Sequence, residues 1–228
     1  MALLYVIATP IGNRADLSAR AAETLTSVDL IVSEKPLSSK KLLDPLGIKT
    51  RVLPVFAPGK RFAINPVLAA LKSGEDVALI SEAGTPGIND PGGVIVAAVR
   101  AAGHEVRGVP GANAAVTAAS ISGFAMDEFI YKGFVPHKKG RETFFNSLAA
   151  IESAVIFYES PHRIAKTLTA LAEHLPVRYL CVARELTKLH EQSLVATCRE
   201  VAALTETELP RRGEFVLILA PSGFVSQD

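Results

Sequence analysis

The sequence predicts a layered α/β protein made of two successive α/β domains, residues 1–124 and 125–228, the second with a mixed sheet. Three observations point there. Short runs rich in Val, Ile and Leu recur along the chain, and several are apolar at successive positions, which suits strands covered on both faces by helices. Segments with helical spacing lie between them, and repeated strand–helix–strand order is the pattern of α/β layers. The pattern breaks at Gly123-Phe124-Ala125-Met126-Asp127-Glu128, which places a boundary after residue 124. A chain of 228 residues has room for one large or two small domains at about 150 residues each.

In order, the apolar runs fall at 3–8, 29–33, 76–80, 105–109, 129–134, 154–158, 179–183 and 215–220. Helical spacing occupies 17–27, 64–73, 93–102, 140–150 and 161–174. Asp16 stands where a cap for the first helix belongs, and Asp90-Pro91 puts a proline in the first turn of the helix near 93. Gly103 follows a last turn holding Arg100, an ordinary stop signal. The second half has more strands per residue, with 191–197 and 212–220 close together, hence its mixed sheet.

The charge balance of 24 basic against 23 acidic residues leaves +1, so any nucleic-acid contact must be local and not spread over the whole surface. At 49% hydrophobic residues the chain has material for a core. Cys181 and Cys198 are too few for a disulfide framework and lack metal-ligand spacing; Cys181, inside an apolar run, reads as a buried thiol. The apolar start at Ala2-Leu3-Leu4-Tyr5-Val6-Ile7 has no basic leader and reads as a first strand. No apolar stretch approaches the roughly 18 residues that cross a bilayer. A cytoplasmic protein with neither membrane nor metal partner is expected.

The five histidines are scattered without zinc-binding spacing. No nucleophile elbow and no phosphate-binding Gly-x4-Gly-Lys loop occurs, and the turn after the first run has one glycine and a proline where a dinucleotide fold needs three glycines. Three loops stand out instead: Thr9-Pro10-Ile11-Gly12-Asn13, Ser81 to Gly93, and Pro110-Gly111-Ala112-Asn113. Each follows a strand at its carboxyl end, the ligand crevice of an open α/β sheet. Glycine lets backbone approach a ligand, and proline stiffens the loop.

At these residues the sequence resembles the tetrapyrrole-methylase superfamily and, within it, the bacterial small-subunit ribosomal RNA cytidine 2′-O-methyltransferase family. Leu4 to Asn13, Ser81 to Gly92, Pro110-Gly111, Lys132-Gly133-Phe134-Val135-Pro136, Phe157 to Arg163, Ala183 to Lys188 and Gly213-Glu214 carry the resemblance in order along the chain. It implies a two-domain methyltransferase that holds S-adenosylmethionine in a cleft between domains, acts on ribosomal RNA of the small subunit, and forms a homodimer. It also implies a cofactor pocket lined by Pro10, Gly84, Thr85, Pro86, Ile88, Pro110, Gly111 and Ala112 from the first domain. Tyr158, Ala183, Gly213, Glu214 and Phe215 would line it from the second.

The chain departs from the family at Lys35-Pro36-Leu37, where the usual Glu-Asp-Thr-Arg keeps only Glu34, and at Phe56-Ala57-Pro58-Gly59-Lys60. It ends at Asp228, where many members continue into a helical extension. Methyl transfer from a sulfonium needs alignment and exclusion of water, and a hydroxyl acceptor needs a base. The candidates are Glu34, Asp90, Glu159 and Glu185, with Arg163, Arg184 and Lys188 to steady charge. Each has a plainer alternative: Asp90 as a helix cap, Arg184 pairing with Glu185, and Arg163 as a cation at a helix start that an anion would relieve. His137-Lys138-Lys139-Gly140-Arg141 reads either as an RNA-backbone contact or as a solvated loop, with no aromatic residue interleaved for base stacking. A small-molecule acceptor, tetrapyrrole-like, and a cofactor-binding regulator without catalysis stay open beside the RNA reading.

Overall fold

The computed structural model describes residues 2–57, 61–62 and 64–226. They form two compact units, one up to Asn113 and one from Ala114. The first unit runs β1 (Leu3–Ile7), α1 (Ala19–Ser27), β2 (Leu30–Ser33), α2 (Pro36–Leu43), β3 (Arg51–Pro54), β4 (Phe56–Ala57), β5 (Arg61–Phe62), α3 (Ile64–Lys72), β6 (Val77–Ile80), α4 (Gly92–Ala101) and β7 (Glu105–Val109). The second runs α5 (Ala114–Ile121), β8 (Phe129–Phe134), α6 (Arg141–Leu148), β9 (Ala154–Glu159), α7 (Ile164–His174), β10 (Tyr179–Arg184), β11 (Gln192–Thr197), α8 (Cys198–Ala203) and β12 (Phe215–Leu219).

The first sheet has order β3-β2-β6-β1-β7, with every pair parallel. Its continuous apolar runs follow from the period of two along a strand. Leu4, Leu30, Val32, Val77 and Leu79 face a core shared with Val67 and Leu71 of α3 and Ile95 and Val99 of α4. Ile7, Ile31, Ala78 and Ile80 face the opposite core, with Ala21 and Leu25 of α1 and Leu43 of α2. Both faces are covered, so neither position in the alternation is free to be polar.

The second sheet has order β11-β10-β12-β9-β8 and is mixed: β8 pairs with β9 in parallel, while β9–β12, β12–β10 and β10–β11 are antiparallel. Val155, Phe157, Leu180, Val182, Leu217 and Leu219 point into one core with Phe145 and Leu148 of α6, Leu168 and Leu171 of α7 and Val201 of α8. Helix α5 packs on β9 and β12. That packing assigns α5 to the second unit and moves the division from the expected 124/125 to 113/114.

Local punctuation differs in two places. Ser18, not Asp16, caps α1, its hydroxyl accepting from Ala21 N at 3.1 Å; Asp16 closes a single 3-10 turn begun by Asn13. Pro91 is the N-cap of α4 and lies just outside its first turn. Both cysteines are buried, and burial pushes the Cys198 thiol up to about 12.

Candidate functional site

Loops leave the carboxyl ends of β6, β1 and β7, which are neighbours in the first sheet. They are locked to one another by backbone. Thr9 N donates to Gly84 O at 2.9 Å and Gly84 N donates back to Thr9 O at 3.0 Å. The Ser81 hydroxyl donates to Gly84 O at 3.1 Å, and the Thr85 hydroxyl donates to Ala112 O at 3.1 Å. Gly84 has φ +78°, and a Cβ there would lie 3.3 Å from Ile11 Cγ2. A Cβ on Gly111 would lie 3.0 Å from Ala8 Cβ. Pro10, Gly84, Thr85, Pro86, Pro110, Gly111 and Ala112 therefore share one stiff rim, while Ile88 stands exposed farther along the same loop.

Two of the candidate acids belong to this rim. The Asp90 carboxylate accepts from Gly87 N and Gly92 N through Oδ1, each at 2.7 Å, so it braces the loop against the first residue of α4. Glu34 follows β2, where the buried hydroxyls of Ser33 and Ser39 bond across the start of α2. Burial, then Asp90 and Glu82, hold the Glu34 carboxyl above the ordinary carboxylate range; Lys35 opposes them. Lys35 spends its charge on Glu82, with Nζ 2.6 Å from Oε2. Among the described residues Glu34 has no salt bridge. Of the departing segment at 56–60, Pro58, Gly59 and Lys60 lie outside the described residues.

In the second unit the candidates gather at one end of the sheet, where β9 and β10 finish and β12 starts. Register sets Tyr158 and Ala183 on either side of Val216, and Glu159 beside Phe215. Glu159 is fully buried and saturated: Arg163 Nη2 lies 2.7 Å from Oε1, and Arg141 Nη1 lies 3.6 Å from Oε2. The Thr167 hydroxyl donates to Oε2 at 2.6 Å and Ser160 N to Oε1 at 2.7 Å. Glu159 is thus the anion that relieves Arg163 at the start of α7.

Glu185 and Lys188 form a second group. Lys188 Nζ lies 2.9 Å from Glu185 Oε1 and 2.7 Å from Glu214 Oε2, and Glu214 N donates to Glu185 Oε1 at 2.9 Å. Burial raises the Glu185 pKa, but the bonds from Lys188 and Glu214 N outweigh it and the net shift is downward. Gly213 has φ +93°, and a Cβ there would fall 2.5 Å from Glu185 Cγ. Arg184 does not pair with Glu185; its guanidinium donates to the carbonyls of Arg212 and His190, at 2.6 and 3.1 Å.

Thr9, Ser81, Glu82, Arg141 and Thr167 serve these clusters without having been named for them. Arg141 leaves the basic loop and turns inward onto Glu159 and over the Phe145 ring, 5.0 Å from its centroid. The spacing of Glu159 and Arg163, four apart across a helix start, was the one signal of the network in the sequence.

Residues 3–202 match the family model of tetrapyrrole (corrin/porphyrin) methylases. A ribosomal RNA small subunit methyltransferase I of Synechocystis is 43% identical over 96% of this chain and 79% of its own length. One from Bacillus subtilis is 40% identical over 97% of this chain and 76% of its own. Among solved structures, the methyltransferase CobJ is similar with TM-score 0.70 at 19% identity, covering 100% of this chain and 98% of that one. A diphthine synthase gives TM-score 0.70 at 14% identity, covering 96% and 90%. At those identities the structures speak for the fold alone, and the fold is theirs. The chain belongs to the tetrapyrrole-methylase family, in the company of the ribosomal RNA small subunit methyltransferases I.

Proposed function

We propose that the protein transfers a methyl group from S-adenosylmethionine to the ribose 2′-hydroxyl of a cytidine in small-subunit ribosomal RNA. The observation that carries the cofactor is the charge of the first unit's rim. Glu34, Glu82 and Asp90 stand close enough for the latter two to raise the Glu34 pKa, on loops built of Gly, Thr and Pro. Such a rim repels phosphates and suits a ligand with a sulfonium, an ammonium and no phosphate. The cofactor supplies an activated methyl group. Pro10, Gly84–Pro86, Ile88 and Pro110–Ala112 hold and orient it.

Glu34 is the residue we assign to the acceptor's proton. A carboxyl raised by burial and like charge is a better base than an ordinary one, and the cation that opposes the rise, Lys35, is paired with Glu82. Asp90 braces the loop beside it. Glu159 with Arg163, and Glu185 with Lys188, keep the end of the second sheet in shape. The acceptor follows from the names of the relatives. We place the reaction in the cytoplasm and the active form as a homodimer, which light scattering reads directly. Among the described residues no group of His, Cys, Asp or Glu is arranged to hold a metal ion, and no helix is long and apolar enough to cross a membrane.

Labelled methyl transfer to small ribosomal subunits from a strain that lacks the modification tests the assignment. Incorporation into a cytidine ribose is expected. No incorporation, with cofactor binding intact, overturns the RNA acceptor and favours a small molecule.

A further inference from the structure

The edge strand β8 contains an irregularity that changes what one residue faces. Tyr131 pairs with Ile156, yet Phe134 pairs with Tyr158, so β8 spends one residue more than β9 over the same interval. Gly133, at φ +65°, sits in this bulge. Without the extra residue Gly133 would stand opposite Tyr158, and Phe134 would turn to the other face. With it, Tyr131, Tyr158 and Phe134 share a face: the Tyr131 and Tyr158 rings are 5.4 Å apart and the Phe134 and Tyr158 rings 5.5 Å apart, both edge-on. Phe134 is 49% exposed, a large apolar ring held in place by a partner and open to solvent.

The segment after Phe134 is held just as firmly. Arg163 Nη1 donates to Val135 O at 2.7 Å, and Arg141 Nη1 to Pro136 O at 3.4 Å, both guanidiniums being anchored on buried Glu159. What remains outside is His137, Lys138 and Lys139, all exposed and in no salt bridge among the described residues. The nearby carboxylate of Glu142 is turned to His174, 3.6 Å away. No aromatic is interleaved in the basic run itself, and the exposed Phe134 ring precedes it by three residues.

We propose that Phe134, Lys138 and Lys139 form a contact for single-stranded RNA, the ring stacking on one unpaired base and the two ammonium groups holding neighbouring phosphates. This rests on the RNA reading above and adds to it a place on the protein, next to Tyr158, where substrate is held. A ring with one solvent face, a few residues along the chain from cations in no salt bridge, is the combination that single-stranded nucleic acid takes, because every base has a π face and every linkage a charge. A double helix hides its bases and would use the lysines alone.

Fluorescence anisotropy of the full chain with a labelled single-stranded RNA of about a dozen nucleotides tests this. Phe134→Ala is expected to weaken binding roughly ten-fold, and Phe134→Tyr to restore it. Lys138→Gln with Lys139→Gln is expected to lower the slope of log affinity against log salt by about 1.4. Wild-type affinity in both Phe134→Ala and the double lysine variant overturns the proposal. So does a loss in those variants of binding to phosphatidylserine vesicles without a loss for RNA. Methyl transfer to small subunits by the wild type, measured alongside, separates the two readings: transfer with unchanged RNA affinity in the variants removes only this contact, whereas no transfer by the wild type removes the function assigned above.

Discussion

Glu34 and Glu185 each follow the carboxyl end of an apolar strand, one in each unit, yet they are pushed in opposite directions. Burial and then two carboxylate neighbours raise Glu34; burial raises Glu185 as well, but an ammonium and a backbone N–H outweigh it and the net shift is downward. The same contrast holds for the groups around them. In the second unit Glu159, Arg163, Arg141 and Thr167 satisfy one another, and Lys188 is shared by two carboxylates. In the first, the cation nearest Glu34 pairs with Glu82. One rim is electrostatically closed, the other is left with excess negative charge that a cationic ligand would neutralise. Closed networks hold shape; open ones await a partner.

The largest effect expected from breaking this contrast is on chemistry. Glu34→Gln should lower kcat for methyl transfer by about 10²–10⁴-fold. It should not destabilise the fold. Since the folded pKa of Glu34 is raised, folding favours its protonated form, and stability falls as pH rises through that pKa. The glutamine variant lacks this loss, so its melting temperature should equal or exceed the wild type's at pH 7, by calorimetry.

Opening the closed network costs stability instead. Glu159→Ala leaves the half-buried Arg163 and Arg141 without their buried anion and should cost about 3–5 kcal/mol in urea unfolding. Gly213→Ala is expected to cost about 2 kcal/mol, from the left-handed backbone and displacement of the Glu185 side chain. In a Glu185→Ala background the steric part should vanish, so the two substitutions will not add. Because Glu185 is lowered in the fold, its contribution is present above the ordinary carboxylate pKa and fades as pH falls through the folded one, the reverse of Glu34. At the small end, Lys35→Gln breaks an exposed pair and should leave the melting temperature unchanged.

Much of this was legible in the residues. Continuous apolar runs gave the buried strands, and the Gly-Thr-Pro and Pro-Gly-Ala loops gave the first rim, because both depend on local composition. Helix α5 escaped since Ala114 to Ile121 is small and apolar all round, without the stripe that marks a half-exposed helix. Helix α2 escaped because Pro36-Leu37-Ser38-Ser39 reads as a turn until Pro36 is seen at its first position. Strand β3 ends in Pro54, tolerable only because it is an edge. The inward turn of Arg141 and the outward turn of Phe134 depend on long-range pairing and on a bulge, which no local pattern encodes.

The central claim, that the stiff, anionic rim of the first unit selects a sulfonium nucleoside over a phosphorylated one, is tested most directly by calorimetric titration of the full chain with S-adenosylmethionine and with adenosine triphosphate. Saturable heat from the first, weakened in a Glu34→Gln/Glu82→Gln variant, and none from the second, is the predicted result. Equal binding of both nucleosides, or no heat from S-adenosylmethionine at millimolar concentration, would contradict it.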